Sequence, residues 1–195
     1  MKRKYILSVL FFAVLISLFF LDQLIRILIS KIIVDHIMNI MGLISDIGSW
    51  GYLSVIALAI WGFGCTRNDK RLKTAGWYGI LSVSGSRFIV EILKHLSGRP
   101  RPAVFDSEGF RIGPTFAFGY DAFPSGHAAS SFAFAYILSR FYPERRYLFY
   151  TGAIIISFSR IYLDSHFTSD VYAGGVVGLI SGKVIYNYIE RKRAQ

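Results

Sequence analysis

The sequence predicts an all-α integral membrane bundle of six transmembrane helices with an outer-face amphipathic segment and a cap loop, forming one domain over residues 1–195. Three observations predict it. First, the 195 residues are 53% hydrophobic and 16% aromatic, with a mean hydropathy of +0.45. Charged residues make up 17%, below the roughly 25% usual in a soluble domain. Second, apolar segments recur at lengths suited to a bilayer. Third, the basic residues fall in short clusters between those segments rather than along one polar face. The formal net charge of +10 is therefore read as a topological signal, and no nucleic-acid partner is expected.

Lys2, Arg3 and Lys4 precede a first apolar run that ends at Leu21. No small-residue cleavage pattern follows it, so it is read as a retained span rather than a signal peptide. Residues 22–49 mix Arg26, Lys31, Asp35, His36 and Asp46 with isoleucines and leucines, which reads as a membrane-surface amphipathic helix or an extension of the first span. Asp22 and Arg26 are spaced for an i,i+4 pair, His36 has no partner that the sequence identifies, and all three are read as structural. A second span covers about residues 50–65. It ends at Cys65, the sole cysteine, which excludes an intrachain disulfide and is read as a small buried hydrophobe.

A third span, about residues 74–96, is softened by Gly76, Gly79, Ser82, Ser84, Gly85 and Ser86, small residues that let transmembrane helices approach closely. Arg87 and Glu91 share one of its faces and are read as an internal ion pair. Residues 98–124 hold all but one of the five prolines. This longest irregular region cannot lie in hydrocarbon and so caps one end of the bundle. Three more spans follow at about residues 125–141, 147–163 and 167–188, the last with Gly174, Gly175, Gly178 and Gly182 on a closely packed face. No sequence repeat or low-complexity tract is present.

Six spans place both termini on one side. The starting basic cluster, then Arg67, Lys70, Arg71 and Lys73, then Arg140, Arg145 and Arg146, and finally Arg191 to Arg193 all fall there, and the positive-inside rule makes that side cytoplasmic. The helical rise gives depths: Lys94 lies roughly 31 Å above Lys73, His127 roughly 27 Å above Arg145, Arg160 roughly 21 Å above Arg146, and His166 roughly 37 Å from Arg191. With a hydrocarbon core about 30 Å thick, residues far apart in sequence reach a similar level near the outer boundary. Ionisable groups at such a level are a functional signal.

Three stretches converge on that level. In KHLSGRPRP, Lys94 ends a span, and Arg101 stands between Pro100 and Pro102 on a stiffened, extended backbone suited to an oxyanion. In FPSGHAAS, Ser125 sits at a helix start, so the amides around Gly126 and His127 are unsatisfied donors and form an anion site. In SRIYLDSHFTSD, Arg160 is followed by His166 and Asp170, four apart, which stacks a carboxylate over an imidazole on one helical face. Independent snorkelling anchors at the boundary are the alternative, but anchors need not include two histidines and an aspartate. The set offers phosphate donors, a histidine to attack phosphorus and a histidine to protonate the leaving oxygen. Spacing leaves open which histidine attacks, although the carboxylate one turn away favours His166.

These three motifs, with Lys94, Arg101-Pro102, Pro124-Ser125-Gly126-His127, Ser159-Arg160, His166 and Asp170 in order and at the spacings of the signature, resemble the type 2 phosphatidic acid phosphatase family. They run from Lys94 to Asp170, and the six-span topology extends the likeness over nearly all of the chain. The resemblance implies that His166 is the nucleophile, forming a phosphohistidine, that Asp170 fixes its tautomer, and that His127 is the general acid. It implies that Lys94, Arg101 and Arg160, with Ser125 and Gly126, bind the phosphoryl oxygens.

The expected activity is metal-independent hydrolysis, without a cofactor, of a phosphomonoester or diphosphate on a lipid at the outer face of the cell (inner) membrane, where the site meets the periplasm or exterior. No metal is called for because the cations already supply charge stabilisation, and vanadate is expected to bind as a mimic of pentacoordinate phosphorus. Candidate substrates are undecaprenyl diphosphate, phosphatidylglycerophosphate, phosphatidic acid and lipid A 1-phosphate, and the surrounding membrane lipids are the other expected partners. The alternatives are a lipid-to-lipid phosphotransferase of the same family and a non-catalytic lipid transporter. His95 is read as pointing away from Lys94. Arg99 and Arg111 are read as solvated loop charges, with headgroup contact as the alternative. The aromatics Phe105, Phe110, Phe116, Phe118, Tyr120 and Phe123 are read as a lipid entrance or an interface belt.

Overall fold

The structure, a computed structural model, describes residues 2–193 and 195, side chains at 2, 3, 4 and 7 excepted. Helix α1 spans Lys2–Ser30, α2 Asp35–Ile47, α3 Trp50–Thr66, α4 Lys70–Ser97, α5 Pro102–Glu108, α6 Gly126–Phe141, α7 Arg146–Tyr162 and α8 Thr168–Arg193, with a 3-10 turn at Pro143–Arg145 before α7. The described residues form no strands. Two of the helices start where a side chain satisfies the first free amides. Ser49 accepts from the Tyr52 N–H ahead of α3, and Asp69 accepts from the Arg71 and Leu72 N–H groups ahead of α4, caps worth about 1 kcal/mol each.

Helix α6 is the central element, packed on α4, α7 and α8, while α3 lies along α4, α2 on α7, and α1 on α8 and α7. Small residues set the closest approaches. A Cβ at Gly178 would strike the Ala129 carbonyl of α6, one at Gly174 the Ser125 carbonyl, and one at Gly182 would come within 3.0 Å of the Ala133 carbonyl. Four-residue spacing on both helices thus makes a ladder, with Gly174, Gly178 and Gly182 on α8 and Ser125, Ala129 and Ala133 on α6. Outward faces carry exposed Val9, Phe12, Phe20, Val55, Leu58, Phe88 and Ile154. An apolar perimeter of this extent suits a bundle solvated by lipid.

By length and apolarity alone, Ser8–Ser30 within α1 can cross a membrane, and α2 with α3, bent by 57° at their junction, pass the same test as a pair. The remaining helices are shorter, such as α6 with 16 residues, or carry glycine, serine and charged ends, as α4 and α8 do.

Several expectations change. Residues 22–49 are not one segment, since α1 continues to Ser30 and α2 begins at Asp35. Asp22 and Arg26 do not pair with each other. Arg26 instead makes paired hydrogen bonds to Asp106 at 2.6 and 2.7 Å and to Asp164 at 2.6 and 2.7 Å, joining α1, α5 and the α7–α8 connection. Cys65 is exposed, because at the end of α3 the bundle face belongs to Gly64, whose Cβ would strike α4 backbone at Lys73. The region 98–124 is not wholly irregular, since it contains α5.

Candidate active site

Lys94 lies in the last turn of α4, and its side chain is buried. The helix closes at Gly98, whose φ of 52° is left-handed and whose N–H donates to the Lys94 carbonyl at 2.9 Å. A Cβ there would also strike the Gly113 carbonyl, so glycine is required both for the turn and for the close approach. Beyond it, Arg101 is extended (φ −68°, ψ 159°) before Pro102 starts α5, and its N–H donates to the Gly119 carbonyl at 2.8 Å.

Lys94 and Arg101 converge on one carboxylate. Lys94 Nζ is 3.2 Å from Asp121 Oδ2, while Arg101 Nε and Nη2 each donate to Asp121 at 2.7 Å. Burial alone would push the Asp121 carboxyl up, but the Arg101 hydrogen bonds and the nearby Lys94 hold it well below the usual carboxylate range. Two cations that share one carboxylate can share a phosphoryl group in the same way.

Ser125 is the N-cap of α6, and its hydroxyl is buried with no hydrogen-bond partner among the described residues. Gly126 and His127 occupy the first positions of the helix, where the N–H groups have no intrahelical acceptor. A Cβ at Gly126 would come within 3.1 Å of Arg87 Nη1, so glycine admits that guanidinium to the mouth of α6. Two hydrogen bonds tie the three motif stretches together at Asp170: the Ser125 N–H donates to its carbonyl at 2.9 Å, and Arg99 Nη1, from the Lys94 stretch, donates to its Oδ1 at 2.5 Å.

Arg160, near the end of α7, donates through Nη1 to the Ser45 hydroxyl of α2, and its Nε is buried without a partner among the described residues. Its carbonyl accepts from Ser165 N–H at 3.0 Å and His166 N–H at 3.3 Å, which folds the connection back over the helix end. His166 Nδ1 faces Asp170 Oδ2 at 3.7 Å, both side chains being almost wholly out of solvent. This is longer than a hydrogen bond, a spacing that catalytic pairs often close only around substrate. Burial pushes the His166 imidazole below its ordinary value, against the raising influence of Asp170.

Asp170 is fixed on its other sides. Its Oδ2 accepts from Phe167 N–H at 2.9 Å, its Oδ1 accepts from Arg99 Nη1 at 2.5 Å, and its carbonyl accepts from Ser125 N–H at 2.9 Å. Arg99 is therefore not a solvated loop charge. It is 5% exposed, and it also donates to Ser169 Oγ at 2.6 Å and to Asp22 Oδ2 at 2.8 Å. Arg99, Asp22 and Ser169 are the members of this cluster that the sequence reading missed. The one signal available was the cost of the two charges, because an unpaired charge at that depth needs a partner.

The remaining expectations resolve locally. Arg87 and Glu91 do pair, at 2.7 Å, but both are about two fifths exposed rather than internal. His95 turns from Lys94 to the outer loop, with Nδ1 3.3 Å from the Thr115 carbonyl and its ring 4.4 Å from that of Phe116. Arg111 lies over the Tyr120 ring at 5.3 Å. Phe116 and Phe118 stand out from the surface, whereas Tyr120 is buried.

Comparison with known proteins places this arrangement. Two curated relatives are each named lipid A 1-phosphatase. The one from Rhizobium etli is 29% identical over 150 residues, covering 70% of this chain and 64% of the relative. The one from Rhizobium johnstonii is 32% identical over 105 residues, covering 53% and 43%. The chain thus spans less than two thirds of the length of either. Among solved structures, Aquifex aeolicus LpxE is 25% identical with a TM-score of 0.65, covering 86% of this chain and 96% of that one. The first transmembrane PAP2 type phosphatidylglycerolphosphate phosphatase from Bacillus subtilis is 22% identical with a TM-score of 0.71, covering 98% of each chain, a likeness of fold. The family model described as the PAP2 superfamily matches residues 75–194. Because that match takes in more than half of the chain and every motif position from Lys94 to Asp170, the chain belongs to the PAP2 superfamily.

Proposed function

We propose that the chain is a membrane-embedded lipid phosphatase that works through a phosphohistidine. The observation that carries this reading is the His166–Asp170 pair, whose carboxylate is locked from behind by Arg99 and whose Asp170 carbonyl holds the Ser125 N–H at the start of the helix that carries His127. With its Nδ1 proton held toward Asp170, His166 presents Nε2 as the nucleophile. Nε2 attacks phosphorus, the bond from phosphorus to the leaving oxygen breaks, and His127 gives that oxygen a proton. Water then attacks the phosphohistidine, His127 takes its proton, the P–N bond breaks, and inorganic phosphate leaves. Lys94, Arg101 and Arg160, with Ser125 and the Gly126 N–H, hold the equatorial oxygens and offset their growing charge, so the reading needs neither metal nor cofactor.

The names of the relatives favour lipid A 1-phosphate as the first substrate to test, ahead of phosphatidylglycerophosphate, phosphatidic acid and undecaprenyl diphosphate. The exposed apolar faces of the bundle, with Val9, Phe12, Val55, Phe88 and Ile154 among them, support a lipid rather than a soluble substrate. In this reading α1, α3, α4, α6, α7 and α8 cross the cell membrane, both termini are cytoplasmic, and α2 and the loop containing α5 cap the outer face. The test is phosphate release from the four lipids in parallel, with and without EDTA. Release from one of them that survives EDTA and is lost in His166→Ala supports the proposal, and loss with EDTA overturns the metal-free mechanism. Transfer of label to a second lipid instead of water would make the protein a phosphotransferase.

A further inference from the structure

In α1, an apolar helix of 29 residues, Asp22 is the one buried residue among the described side chains. A carboxylate in that position is costly unless every lone pair is occupied, and its partners account for it. Oδ1 accepts from Ser169 N–H at 2.9 Å. Oδ2 accepts from Ser169 Oγ at 2.5 Å and from Arg99 Nη2 at 2.8 Å. Since Ser169 Oγ itself accepts from Arg99 Nη1, Arg99, Ser169 and Asp22 close a ring of donors and acceptors. The guanidinium lies over the ring of Phe19 at 4.4 Å and that of Phe167 at 4.5 Å. From this fixed position, the same Nη1 reaches Asp170 Oδ1.

We propose that Asp22 and Arg99 are positioning residues that act through Asp170 and make α1 part of the catalytic apparatus rather than only a membrane anchor. The inference rests on the phosphatase reading given above. Asp170 has two oxygens: Arg99 claims Oδ1, and that sets the rotation at which Oδ2 meets the Phe167 N–H and faces His166. Remove the lock and the carboxylate turns, and His166 loses the partner that holds its proton on Nδ1. Asp22 acts one step further back, because it fixes the plane of the Arg99 fork. Asp22 lies outside the region matched by the family model, so the motifs alone do not reveal it.

The test compares Asp22→Asn, Arg99→Lys and Ser169→Ala, the last opening the ring without removing a charge, in the purified full-length protein. Each is expected to lower kcat about 10- to 100-fold with KM within about twofold, the scale on which residues behind a reacting group act. In an Asp170→Asn background, each should cost less than about twofold more, because the residue through which they act is already disabled. A purely structural staple would give the same loss in both backgrounds, and that result overturns the proposal. A second readout needs no turnover: with 15N-labelled histidine, of which the chain has four, and inorganic phosphate bound to close the His166–Asp170 pair, His166 should show its proton on Nδ1 in the wild type and a mixture of tautomers in the variants. An unchanged His166 signal in all three variants also overturns it. A wild type that hydrolyses none of the lipids would remove the phosphatase reading, while the tautomer measurement would still decide whether Asp22 and Arg99 control His166.

Discussion

The Ser125 N–H donates to the Asp170 carbonyl at 2.9 Å, joining the N-cap of α6 to the first turn of α8. That bond sets the stretch holding His127 against the stretch holding His166, and the glycine ladder beneath it lets the two helices come so close. Gly174→Ala should therefore push the Ser125 carbonyl away, lowering both stability, by about 1 to 3 kcal/mol as overpacking does, and kcat. Gly178→Ala, one turn deeper, should lower stability with a smaller effect on kcat. Gly152→Ala, where a Cβ meets nothing within 4 Å, should change neither. Thermal unfolding in detergent alongside phosphate release checks all three variants.

The two histidines should separate by leaving group. His166→Ala removes the proposed nucleophile and should lower kcat at least about 10³-fold on every substrate. His127→Ala should cost about 10² to 10⁴-fold on an alkyl phosphate, the range for general acid catalysis. It should cost far less in the first step on an aryl phosphate whose oxygen leaves without a proton. Radiolabelled phosphate should then accumulate on His127→Ala and never on His166→Ala. Equal losses in the first step, read as the single-turnover rate of leaving-group release from each substrate type, would remove His127 from the acid role.

The helix limits and the three motif stretches were legible because both are local patterns: apolar runs between basic clusters, and charged residues at fixed short spacings. Observed helices differ from the expected ones by only a few residues at most ends. Long-range pairing left no such pattern. Asp22 stands four residues from Arg26, a spacing that predicts a local pair, yet its partners Arg99 and Ser169 lie 77 and 147 residues away. Arg99 stands between Gly98 and Pro100 in a polar stretch, where a solvated charge is the ordinary outcome. In the fold it is buried, with its guanidinium over the rings of Phe19 and Phe167. Cys65 was misjudged for a related reason, since an apolar neighbourhood in sequence does not tell which face of α3 meets α4.

Asp121 gives the outer loop a pH dependence. Its folded carboxyl is held below the ordinary value by Arg101 and Lys94 despite its partial burial, so the unfolded chain binds its proton more readily than the folded one. The stabilisation is then fully present above the ordinary carboxylate value of about 4 and is lost as pH falls below it toward the folded value. Asp121→Asn should lower the unfolding temperature at neutral pH, and the difference from wild type should shrink as the pH drops below about 4. A difference that stays constant across that window would mean that the carboxylate charge contributes nothing.

The proposed orientation can be tested with the single native cysteine. Cys65 is exposed at the end of α3, beside Arg67, Lys70, Arg71 and Lys73, on the side that the positive-inside rule makes cytoplasmic. Phe118, in the outer loop, is fully exposed. In sealed right-side-out membrane vesicles, an impermeant maleimide should leave Cys65 unlabelled until detergent is added. Phe118→Cys in a Cys65→Ser background should label at once, and inside-out vesicles should reverse the two. Labelling of both positions from one side would contradict the proposed topology, because α3 and α4 would then no longer stand between Cys65 and the face that Lys94 and His166 share.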